Sequence, residues 1–196
     1  GNWIEWHKDK QPGQYRNEGK LKAVGSYKNG VKHGDWYYFD WIYGHLSGKE
    51  TYINGKKNGY FVKWSRIRPE RIIQFEGYYI DGAKDGVWIE DGTKESFSYG
   101  KVKGQYSNGK KQGRWIYYSR YSGVKFQEGN YLDNCAVGTW IIWNETGSIR
   151  NKINQKADKG SFCANKISLY KKEKVAITDK KKEAISDKKL QVIDAQ

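Results

Sequence analysis

A twelve-residue pattern recurs five times in the first three-quarters of the chain, and no other feature restricts the fold as strongly. It reads Gly-x-Tyr-x-Asn/Asp-Gly-x-Lys-x-Gly-x-Trp. The copies run from Gly25 to Trp36, Tyr52 to Phe61, Gly77 to Trp88, Gly104 to Trp115 and Gly129 to Trp140. The repeat tyrosines (Tyr27, Tyr52, Tyr79, Tyr106, Tyr131) stand 25, 27, 27 and 25 residues apart, yet each lies nine residues before its Trp or Phe. Length therefore varies between units and never inside one, as expected when one supersecondary unit is stacked on itself.

The unit has the chemistry of a β-hairpin. Asn-Gly and Asp-Gly accept the positive φ that a tight reversal between strands needs. Tyr, Trp, Ile and Val flank each reversal and favour strands. The Gly four residues after the turn Gly (Gly34, Gly59, Gly86, Gly113, Gly138) suits a bulge or a close backbone approach. Asp91-Gly92, Ser122-Gly123, Thr146-Gly147 and Arg68-Pro69 supply turns on the opposite edge. Turns on alternate edges predict an all-β fold: an elongated, single-layer antiparallel meander of about six repeated hairpins. Units are placed at 25–47, 48–76, 77–103, 104–128 and 129–149, with a degenerate one over 1–24. Gly1–Trp6 reads as the second half of an earlier unit, so the array is expected to start mid-unit; a chain without Met fits a fragment or processed product.

Composition divides the chain at the same place. A mean hydropathy of −0.97 with 37% hydrophobic residues would suit disorder, but 16% aromatics do not. All nine Trp, and all but one of the 16 Tyr and of the 23 Gly, precede residue 150. Residues 1–149 are therefore read as the array, and 150–196 as a Lys-rich tail, disordered or partly helical.

The repeat resembles the MORN family, and more closely its variant form with Asn-Gly-Lys-Lys-x-Gly-x-Trp-x-x-Tyr, present here as Asn108-Gly-Lys-Lys-Gln-Gly-Arg-Trp115-Ile-Tyr-Tyr118. The departures are Glu50 where Gly is expected, Phe61 for Trp, and Asn134 and Ala136 in the last unit, which suits a terminal cap. The resemblance implies a twisted sheet with a scaffold or interaction role. Similar glycine-tryptophan arrays occur in large ciliate proteins. The variant form also occurs in bacterial proteins described as antitoxin-like, which implies toxin binding as another role.

Positions three apart in a strand point to opposite faces. Trp36/Phe39, Phe61/Trp64, Trp115/Tyr118 and Trp140/Trp143 are all three apart; only Trp88/Asp91 breaks the pairing. Both rows can stack unit upon unit. The row Phe39, Trp64, Tyr118 and Trp143 is also the candidate surface for a protein partner or homodimer, because aromatics make good contact sites. The turn lysines Lys32, Lys57, Lys84 and Lys111 are candidates for a row of cations facing acidic groups, diluted by Asp35 and Asp85.

The net charge of +14 and pI near 9.5 keep anionic partners in view. An anionic membrane, met by turn lysines and tail, is the alternative to a protein partner. Nucleic acid is less favoured, because no known recognition pattern accompanies the charge. No apolar run is long enough to span a bilayer as a helix. No nucleophile elbow, phosphate loop or clustered Cys/His is present, so the chain reads as a non-catalytic scaffold with no cofactor, metal or small-molecule substrate. Cys135 and Cys163 read as free thiols of a reducing compartment, which places the chain in the cytoplasm, including at a membrane or cytoskeletal surface.

Overall fold

The computed structural model describes residues 1–7, 19–65, 72–92, 99–155, 163–164, 166 and 168–174. It is one open antiparallel sheet of 12 strands in sequence order. The strands are β1 (Asn2–Trp6), β2 (Leu21–Lys28), β3 (Val31–Phe39), β4 (Leu46–Ile53), β5 (Lys56–Trp64), β6 (Ile73–Ile80), β7 (Ala83–Asp91), β8 (Tyr99–Ser107), β9 (Lys110–Ser119), β10 (Lys125–Leu132), β11 (Cys135–Trp143) and β12 (Ile149–Asn154). The expected hairpin meander is therefore present. The sheet runs on to Asn154, past the expected end of the array at 149. The Arg68-Pro69 turn lies outside the described residues.

The turn chemistry explains the hairpins. Asn29, Asn54, Asp81 and Asn108 hold φ of 51°, 48°, 48° and 48°, and each following Gly is also positive. Two successive left-handed residues make the reversal whose twist matches paired strands. In the last unit Asn134 takes over the Gly position at φ 70°, a conformation Asn tolerates better than other side chains. The turns are tied to one another. Gly55, Gly82 and Gly109 each donate an N–H at 2.8 Å to the carbonyl of the preceding unit's lysine, Lys32, Lys57 and Lys84.

A single-layer sheet has no second layer to cover it, yet Trp36, Trp88, Trp115 and Trp140 are 0–3% exposed. Each indole lies flat on the glycine that opens its own hairpin. A Cβ on Gly25, Gly77, Gly104 or Gly129 would stand 2.1–2.3 Å from a ring atom of Trp36, Trp88, Trp115 or Trp140. Tyrosines close the sides. Tyr106 stands edge-on to Trp115 at 5.1 Å and to Trp88 at 6.1 Å. Tyr131 repeats this between Trp140 at 5.2 Å and Trp115 at 5.8 Å. Trp3 pairs in register with Gly25 and meets Tyr27 edge-on at 5.5 Å, the place that Trp115 takes opposite Gly129.

The array closes differently at β12. Ile153 pairs with Trp140, where Gly77, Gly104 and Gly129 pair with Phe61, Trp88 and Trp115. A branched side chain there leaves no floor for another indole. Cys135 and Cys163 form a disulfide, so the reading of two free thiols is corrected. The chain turns back after β12, and helical residues among 163–174 bring Cys163 to a Cα–Cα distance of 5.5 Å from Cys135. Tyr170 packs over Gly138, and Lys166 pairs with Asp133. The tail of 150–196 thus contributes a strand and a docked helix. The remainder of it lies outside the described residues.

Two stability results are expected. Gly104→Ala loses about 1–3 kcal/mol to overpacking, and Trp115→Ala about 3–5 kcal/mol. Because the methyl fits once the indole is gone, the double variant loses less than the sum; chemical denaturation of all four proteins measures the coupling. Cys163→Ser opens a loop with a sequence separation of 28. It lowers stability by about 3–4 kcal/mol if the unfolded chain gains the full loop entropy, read as a shift of the denaturant midpoint against wild type without reductant.

Candidate interaction surfaces

Alternation along the strands gives the ribbon two unlike faces. The first carries the indoles and the turn lysines. Lysine and Trp are four apart, an even separation that puts both on one side. Lys32 Nζ lies 4.1 Å from the Trp36 ring centroid, Lys84 4.4 Å from Trp88, Lys111 4.3 Å from Trp115, and Lys57 4.8 Å from Phe61. Each ammonium also approaches a tyrosine of the following unit: Tyr52, Tyr79, Tyr106 and Tyr131 lie 5.1, 5.2, 4.9 and 5.1 Å from Lys32, Lys57, Lys84 and Lys111. These lysines are roofs over rings, held by the negative π face and by their packed alkyl stems. Burial among the rings pushes the Lys32 ammonium below its ordinary value, against the opposing pull of Glu50 and Glu5.

Two carboxylates complete this face. Glu90 pairs with Lys84 and accepts from the Tyr106 hydroxyl at 3.1 Å. Glu50 accepts from Lys57 Nζ at 2.7 Å, from the Tyr38 hydroxyl at 3.0 Å and from the Tyr52 hydroxyl. Burial alone would raise the Glu50 pKa. The Lys57 ammonium and the two hydroxyls outweigh it and hold the carboxyl below its ordinary range. Burial, with Glu50 close by, pushes Tyr52 up to about 12 and raises Tyr38 further.

Glu50 and Phe61 mark the one unit of the five without the Gly–Trp pair, and the two changes belong together. A side chain at position 50 removes the floor an indole needs, and the smaller Phe61 ring accepts the loss. Beside this exchange lies a cleft of about 460 Å³ lined by Tyr38, Ser47, Gly48, Glu50, Lys57, Phe61, Val62 and Lys63. In the sequence each departure stands by itself. Trp-to-Gly pairing across the hairpin is the signal that links them.

The second face carries the other aromatic row. Phe39, Trp64 and Tyr118 are half-buried, and Trp143 is buried at 9% exposure beneath Lys125, whose Nζ is 3.7 Å from its ring centroid. More open apolar residues lie nearer the tight turns: Tyr37, Tyr78 and Val87 are 36%, 56% and 58% exposed. Tyr60 and Tyr78 meet at 5.5 Å, and Tyr60 donates to Glu76 at 2.7 Å. Lys49 pairs with Asp35 at 2.7 Å, and Arg114 pairs with Glu128. The predicted row is thus brought to one face, but its members differ in access, and the most exposed neighbours were not singled out from sequence. No family model and no curated protein matches this chain.

The Glu50 cluster has a pH signature. Its folded pKa lies below 4.5, so its contribution is complete above that value and is lost as pH falls through the lower folded pKa. Glu50→Gln is expected to flatten this part of the acid limb. The check is urea unfolding of both proteins at about pH 7 and about pH 3, with a smaller pH difference for the variant.

Proposed function

We propose that this chain is a non-catalytic attachment ribbon that binds other proteins through its second face. The observation that carries this reading is the set of exposed apolar side chains there, Tyr37, Tyr78 and Val87, beside the half-buried Phe39, Trp64 and Tyr118. Contiguous aromatic and aliphatic surface rimmed by charge is the usual mark of a docking site. The first face is spent on holding the sheet together, since its lysines and carboxylates are engaged with rings and with one another. That leaves the turn lysines poorly placed for anionic lipid or nucleic acid, and favours a protein partner over the membrane alternative.

Affinity capture with the full chain tests the proposal. Tyr78→Ala and Trp64→Ala are expected to stay folded by tryptophan fluorescence and to lose captured protein. If both variants fold and retain every partner of wild type, the second face is not the docking surface and the reading fails.

A further inference from the structure

The residue after each repeat Trp or Phe points to the second face, and the register lines these positions up across the ribbon. From β3 to β12 the row reads Tyr37, Lys49, Val62, Glu76, Ile89, Lys103, Ile116, Glu128, Ile141, Lys152, each paired in register with the next. Every second member is apolar. The members between them alternate strictly in charge: lysine, glutamate, lysine, glutamate, lysine.

This order is complementary to its own reverse about Ile89. A two-fold axis parallel to β7 sets Ile89 against Ile89 of another copy. It sets Glu76 against Lys103 and Lys49 against Glu128, so all four charged positions between β4 and β10 meet the opposite sign, and it brings Ile116 over Val62, which is 2% exposed within its own chain. We propose that the second face binds a second copy of this chain, sheet on sheet, through this row. The inference rests on the attachment reading above and names the partner of that surface.

The surroundings of the row agree. Val87, at 58% exposure, sits on the same strand as Ile89 and meets its own copy at the axis. Among the described residues Lys103 is exposed and has no ion pair, and Glu76 accepts from the Tyr60 hydroxyl. The innermost cross-copy pairs thus join the two charges least engaged within one chain. Lys49 and Glu128, further out, already hold Asp35 and Arg114. On the axis Asp91 faces its own copy, a like-charge contact that opposes the pairing, with Lys101 beside each in the register. Packed sheets sit roughly 10 Å apart and cross at about 30° because each is twisted, so the overlap is confined to the central strands, away from the helix docked at the β10–β11 turn.

Sedimentation equilibrium on the full chain tests this, with circular dichroism confirming that each variant is folded. Wild type is expected to be a concentration-dependent dimer, and Val87→Asp a monomer. Lys103→Glu and Glu76→Lys each place like charges together and raise the dimer Kd by about tenfold or more. Glu76→Lys combined with Lys103→Glu restores complementarity and brings the Kd back to within about threefold of wild type. A wild-type chain that stays monomeric at about 100 µM, a dimer unaffected by Val87→Asp, or a combined variant as weak as the singles overturns the proposal. A monomer that still captures other protein through Tyr78 overturns it and leaves the attachment reading standing. A chain that does neither overturns both.

Discussion

An indole lying flat on a glycine backbone is the contact from which the rest of the ribbon follows. One sheet without a covering layer has to bury a face with its own side chains, and a lone hairpin is marginal in water. Gly25, Gly77, Gly104 and Gly129 let the ring descend to backbone level, where a Cβ would stand within 2.3 Å of it. The ring is then low enough for tyrosine edges to wall it and a lysine to roof it. Because Tyr106 touches both Trp88 and Trp115, each unit is completed by the next, and stability accumulates between units rather than within them.

That arrangement divides labour between the faces. Aromatic rings, ammonium groups and buried carboxylates on the first face satisfy one another: Lys84 serves Trp88, Tyr106 and Glu90 together. Little polar capacity is left there for an outside ligand. The second face leaves Tyr78 and Val87 more than half exposed. A thin ribbon therefore gains two broad surfaces at little cost in chain length, one committed to cohesion and one open to contact.

The fold was legible because its signals are local. Asn-Gly turns, strand-forming flanks and a constant Tyr-to-Trp spacing are each read within a dozen residues, and together they dictate the meander. Turn position alone makes the lysines candidates for a row of cations; the four-residue step from Lys32 to Trp36 is the signal that puts each ammonium on the face of the ring it covers. The disulfide was not legible. Its two cysteines are 28 residues apart, and only the return of the tail to the last hairpin, a tertiary event with no periodic signal, brings them together. The alternating row of Tyr37, Val62, Ile89, Ile116 and Ile141 was readable one step beyond each Trp, but its charged members lie on the partner strands, and their alignment depends on a register that the bulges set.

The departures from the repeat follow from the same contact. Where a side chain replaces the floor glycine, the indole goes with it: Glu50 faces Phe61 in mid-array, and Ile153 faces Trp140 at the edge that closes it. In mid-array the missing ring is compensated by charge, since Glu50 gathers Lys57, Tyr38 and Tyr52 into a hydrogen-bonded knot that crosses the gap between units. At the closing edge it is compensated by covalent chemistry, since Cys135–Cys163 holds a helix whose Tyr170 packs on Gly138. At both places where the floor glycine is replaced, another tie is present, and in mid-array the glycine and the tryptophan change together.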